Sequence, residues 1–174
     1  MKAYTRNASA SWLGTHLHGR GTITAPVTLL RKMPYSTGTA PKRGATSPPE
    51  LIAAAHAGSF AMSLANELQI AGFSPKQIDT TAAVTVEPLP AGWRITQIHL
   101  DVVATVARVL QADFVGVALR AKANCPISQV VSANISMRAR LDRRGDARLL
   151  PHRESPMTRP TSGKKHSARR RASR

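Results

Sequence analysis

Apolar and polar positions divide this chain into segments of different period. From Leu51 to Ala65 nearly every residue is apolar or small. A helix there has no broad polar side, so it is predicted to be buried on most faces. Its start is marked locally. Ser47 is a good N-cap, Pro48 falls where no N–H is needed, and Pro49 is still in the first turn. Glu50, three residues after Ser47, completes a capping box, and Gly72 supplies the stop. A helix of this length runs about 36 Å. Its apolar stretch, roughly fifteen residues containing His56, is short for a membrane span. Within it, His56, Ser59, Ser63 and Asn66 fall on one stripe.

Elsewhere the period is two. Residues 80–88 set Ala82, Val84 and Val86 against Ala83, Thr85 and Glu87, and Pro88, Pro90 and Gly92 predict a turn. Residues 93–106 alternate better. Ile98, Leu100, Val102, Ala104 and Val106 point one way, and His99, Asp101, Val103 and Thr105 the other. The short connection predicts an antiparallel pair. Asp113 is read as the cap of a second helix over 114–123 with Phe114, Val117, Ala118 and Ala121 on its inner face. Asn124-Cys125-Pro126 breaks it, and a third, short helix follows over 126–131. Residues 133–141 alternate again, with Ala133, Ile135, Met137, Ala139 and Leu141 inward. Before the long helix, 3–12 and 19–30 read as weak strands around a turn, with Pro26 at an edge or strand end. Residues 33–46 read as a loop. The order is α+β rather than strict βαβ alternation. One sheet covers one face of the long helix, so a second subunit is expected to cover more of it. Met33, Met62 and Met137 are read as core filler.

Charge changes the picture at the C-terminus. The formal net charge is +16, and residues 141–174, with 11 Lys+Arg against 3 Asp+Glu, carry half of it. This stretch has no sustained period, so a folded unit over 1–141 and a basic, disordered tail over 142–174 are expected. Such a tail, bare of interleaved aromatics, suits sequence-indifferent nucleic-acid or acidic-surface binding by a non-catalytic dimeric scaffold. Cys125 is the only cysteine, which excludes an intrachain disulfide and a multi-thiolate zinc site. The N-terminal residues lack a signal-peptide core, and a soluble cytoplasmic protein is expected.

The stretches TSPPELIAAAHAGSFAMSL, AGFSPKQIDTTAAVTVE, WRITQIHLDVVATV and AKANCPISQVVSANISM together resemble the OsmC/Ohr family of organic hydroperoxide reductases, the OsmC branch more closely. The resemblance covers residues 1–141. It implies an intertwined homodimer in which antiparallel sheets wrap two long central helices, and an apolar peroxide pocket at the dimer interface. It implies oxidative or osmotic stress defence with an external dithiol donor, and neither metal nor bound cofactor. The family's attacking cysteine lies in the long helix, where this chain has Ser59; Cys125 matches the resolving cysteine. Glu50 matches the glutamate that orients an arginine from the preceding loop. Ala40 stands near that arginine's position, with Arg43 or Lys42 as a possible substitute.

An alcohol oxygen cannot follow a thiolate sulfur along the oxidation ladder, so hydroperoxide reduction is expected to be lost or weak. His56 is read as a buried histidine before a general base. Cys125 is either an inert buried thiol or, at a helix start, one whose pKa is lowered enough for a one-cysteine peroxidase.

Overall fold

The computed structural model describes residues 4–13, 15, 19–26, 28–37 and 44–142. Residues 143–174 of the basic tail, and with them Ala40, Lys42 and Arg43, lie outside the described residues. Three short strands come first: β1 (Ser9–Leu13), β2 (Arg20–Thr24) and β3 (Met33–Tyr35). They form one antiparallel sheet in the order β1-β2-β3. Trp12 and Tyr35 stack across it with ring centroids 5.4 Å apart. Gly21 lies beneath them, where a Cβ would come within 2.2 Å of the Tyr35 ring, so only glycine fits. β3 corrects the reading of 33–46 as loop throughout. Met33–Tyr35 has little alternation of its own and becomes a strand by adding to the β2 edge, a long-range pairing without a local signal.

Helix α1 (Pro48–Ile70) begins as its local signals predict. The Ser47 N–H donates to Glu50 Oε2 at 2.9 Å, which occupies a donor the helix leaves without a partner. It ends in a Schellman turn. Gly72 sits at φ +82, its N–H donates to Gln69 O, and Phe73 N–H donates to Leu68 O. His56, Phe60, Leu64, Glu67 and Leu68 form the buried face of α1. The opposite side, with Ala55, Gly58 and Met62, is open in the single chain. The expectation of burial on most faces is therefore met on one face only, and Met62, 71% exposed, is not core filler within the chain.

The second sheet contains β4 (Pro75–Leu89), β5 (Gly92–Val106) and β6 (Asn134–Leu141), in that order. β4 and β5 form the expected antiparallel hairpin, but β4 starts five residues earlier than the alternation suggested. β6 runs parallel to β5. A parallel neighbour needs a helical crossover, supplied here by α2 (Gln111–Asn124) and α3 (Pro126–Val130). Leu110, not Asp113, is the N-cap of α2, and Asp113 lies in the first turn. There its charge still favours the helix dipole.

The core lies between this sheet and the helices. The five inward residues of β5 are all buried, as are Phe114, Val117, Ala118 and Ala121 of α2. Side chains of α2 also engage the backbone of β6. The Gln111 amide donates to Ala139 O and accepts from Leu141 N–H, and Lys122 donates to Ile135 O. That satisfies carbonyls of an edge strand that would otherwise offer themselves to another chain.

Candidate functional site

Ser59 and Cys125, sixty-six residues apart, meet where α1 crosses the α2–α3 junction. Ser59 Oγ and Cys125 Sγ are 3.3 Å apart. Cys125 closes α2 and caps α3, in extended backbone at φ −67 and ψ 123. Pro126 enforces that break: it disfavours helical backbone at the preceding residue and starts the next helix at no cost in hydrogen bonds.

Residues on both sides of Cys125 are tied to α1. Asn124 Nδ2 donates to Glu67 Oε1 at 2.8 Å, and Arg120 Nε lies 3.5 Å from the other Glu67 oxygen. Ser128 Oγ lies 2.9 Å from His56 Nε2. The sulfur is thus held between two anchor points on one rigid helix, which fixes its distance from Ser59.

Burial pushes the Cys125 thiol up. Hydrogen bonds from the Ser59 hydroxyl, from Ser128 through both its N–H and its hydroxyl, and from the Ile127 N–H pull it down. The bonds prevail, and the pKa lies below the ordinary thiol value. His56 is fully buried and its pKa is lowered by desolvation, so the ring is neutral at neutral pH. Its Nδ1 has no partner among the described residues.

Glu50 stands apart. It is nine residues from Ser59, about half a turn round the helix and roughly 13 Å along it. Its carboxylate accepts from Ser47 N–H and the Thr46 hydroxyl. It borders a cavity of about 780 Å³ with Trp12, Tyr35 and Trp93. A second cavity, about 590 Å³, lies beside α3 and is lined by Ile52, Ala55, Arg94, Ile127 and Val130 among others. Neither is lined by Ser59 or Cys125.

The structure therefore joins Ser59 to Cys125 and His56 to Ser128, and leaves Glu50 at the helix start. Sequence reasoning missed Ser128, Glu67, Asn124 and Arg120. Glu67 did carry a signal, being a lone acid near the end of an apolar helix; Ser128 carried none. Among the described residues no group of His, Cys, Asp or Glu is placed to hold a metal ion. No helix there is long and apolar enough to cross a membrane.

The family model described as OsmC-like protein matches residues 40–140. The chain is 40% identical to peroxiredoxin OsmC of Escherichia coli over 134 residues, 76% of this chain and 93% of that one. Among solved structures, an OsmC-like protein from Mycoplasma pneumoniae superposes with a TM-score of 0.63 at 12% identity, covering 80% of this chain and 99% of that one. One of unknown function from Vibrio cholerae gives 0.61 at 11% identity, covering 79% and 100%.

Proposed function

Since the chain belongs to the OsmC-like family, whose peroxiredoxins use thiol reductants and no prosthetic cofactor, we propose that it is an OsmC-type organic hydroperoxide reductase scaffold whose two-cysteine cycle is interrupted at Ser59. The observation that carries this reading is the 3.3 Å approach of Ser59 Oγ to Cys125 Sγ. It is the approach a cysteine pair would need. Disulfide sulfurs lie about 2.05 Å apart, a small closure from 3.3 Å.

The chemistry turns on one atom. A thiolate attacks the O–O bond and becomes a sulfenic acid, which a second thiol condenses to a disulfide. Ser59 can donate a hydrogen bond to a peroxide but cannot take its oxygen. A serine-hydrolase route would need an oxyanion hole. Backbone N–H groups in the middle of α1 are spent within the helix, so they cannot form one. Glu50 belongs to the helix cap and to the larger cavity. The open face of α1 at Ala55, Gly58 and Met62 is the surface a second copy would cover, giving a homodimer.

The test is Ser59→Cys. Treated with cumene hydroperoxide, this variant forms a disulfide between the introduced thiol and Cys125, seen as loss of both free thiols and a non-reducing mobility shift. The unmodified chain gives low turnover in a dithiol-coupled assay. Robust turnover that survives Cys125→Ser would defeat the proposal.

A further inference from the structure

The cavity of about 780 Å³ at the start of α1 is built from both sheets. β1 and β3 give it Trp12 and Tyr35, whose ring centroids lie 5.4 Å apart, and β5 gives it Trp93. The first turn of α1 gives it Glu50, the one charged side chain among the described residues of its wall. The bonds that Glu50 accepts from Ser47 N–H and the Thr46 hydroxyl both fall on Oε2, and no described lysine or arginine pairs with it. A second polar group is unspent. Ser36 also lines the cavity, is only 7% exposed, and its hydroxyl has no partner among the described residues. We propose that this cavity binds an organic cation of the methylated-ammonium class. The aromatic rings meet its methyl groups, the Glu50 carboxylate balances its charge, and the Ser36 hydroxyl bonds a polar substituent. The site is independent of the hydroperoxide reading, whose chemistry turns on position 59.

A helix start ordinarily favours an anion, because its first N–H groups have no partner within the helix. Here those donors are absent or occupied. Pro48 and Pro49 carry no N–H. The Ser47 N–H goes to Glu50, the Glu50 N–H to the Ser47 side chain, and the Leu51 N–H to Ser47 O. The charge left beside the cavity is the carboxylate of Glu50, which favours a cation.

The rest of the wall selects the kind of cation. A primary ammonium brings three N–H donors, and each one buried without an acceptor is costly. Rings, prolines and the valines 84 and 86 of β4 offer it few acceptors. A quaternary ammonium has no N–H and spreads its charge over methyl groups that the faces of Trp and Tyr attract. The volume falls within the range of about 300–1,000 Å³ typical of small-molecule sites, so the cation has room for an apolar substituent against Val84 and Val86. The face of α1 assigned above to a second copy, at Ala55, Gly58 and Met62, is not part of this wall. The formal net charge of +16 repels cations from the surface at large, so binding here reports the cavity rather than general attraction.

The chain carries its own probe, because both of its tryptophans, Trp12 and Trp93, line the cavity. Tryptophan fluorescence of the full chain is followed during titration with choline, with hexyltrimethylammonium, and with 3,3-dimethylbutan-1-ol, which copies the shape of choline without its charge. Circular dichroism checks that each variant is folded. The two cations give saturable changes, hexyltrimethylammonium at the lower concentration, and the alcohol binds about tenfold more weakly than choline or worse. Glu50→Gln keeps an acceptor for the Ser47 N–H, so it leaves the helix cap in place. It weakens choline binding about tenfold and leaves the alcohol unchanged. Trp93→Leu, at a side chain 57% exposed, weakens both cations with Trp12 as the remaining reporter. No saturable change in the unmodified chain overturns the site. Equal binding of choline and the alcohol, or choline binding unmoved by Glu50→Gln, overturns cation recognition. Binding gained only when Lys42→Ala and Arg43→Ala are combined gives the cavity to a cation of the chain itself and overturns the external ligand. Turnover and disulfide formation in Ser59→Cys test the hydroperoxide reading separately from every one of these results.

Discussion

His56 carries a pH signature that can be read without any substrate. In the unfolded chain its imidazole takes a proton near pH 6.5, while in the folded chain desolvation holds its pKa lower. Between those two values the unfolded state binds more protons, so stability falls as pH falls through that window and is regained above 6.5. Thermal unfolding across this range should show the melting temperature dropping on acidification, and a flatter profile for His56→Gln. Parallel curves for the two proteins below pH 6.5 would remove the buried neutral imidazole from the account. The same scale decides the fate of position 59. Serine and cysteine differ little in shape there, so Ser59→Cys is expected to fold normally while gaining a redox partner 66 residues away.

Among the elements, α1 buries His56, Phe60, Leu64, Glu67 and Leu68 along one face, and two of its features can be weighed. Ser47→Ala removes the helix cap and should cost about 1 kcal/mol in urea unfolding. Asn124→Ala strips a hydrogen bond from the buried Glu67 carboxylate and should cost roughly 1.5–3 kcal/mol. The second substitution also loosens the α2–α3 junction, so it should slow disulfide formation in a Ser59→Cys background, while Ser47→Ala leaves that rate unchanged. Equal rates in both backgrounds would argue against Asn124 as a positioning residue. The elements differ in how much the sequence announced them. α1 was readable because cap, proline pair, capping glutamate and stop glycine all lie within the segment. β3 was not, because three residues gain strand geometry only from β2 beside them. The cap of α2 was misplaced because Asp113 is a good capping residue that happens to lie inside the first turn of the helix.

At the scale of the whole molecule, the proposed homodimer rests on the open face of α1. Sedimentation should give a dimer at micromolar concentration. Met62→Glu places a charge on the surface that must become buried, and should give monomers that retain the helical circular dichroism signal. A monomeric unmodified chain would withdraw the homodimer. The tail makes a separate prediction. If residues 142–174 tether the scaffold to nucleic acid, DNA binding is steeply salt-dependent and is lost on truncation after Leu141. Equal binding by full-length and truncated chains would end that alternative.

The sequence by itself determined what local rules govern. The limits of α1, the inward residues of β5 and β6, the break at Cys125-Pro126 and the absence of a second thiol all follow from period, backbone preference and composition. Only the tertiary structure decided which side chains meet. The parallel pairing of β6, the bond between Asn124 and Glu67, and the contacts of His56 with Ser128 and of Ser59 with Cys125 join residues far apart along the chain. No local pattern encodes such contacts, because each depends on the angle at which one packed element crosses another.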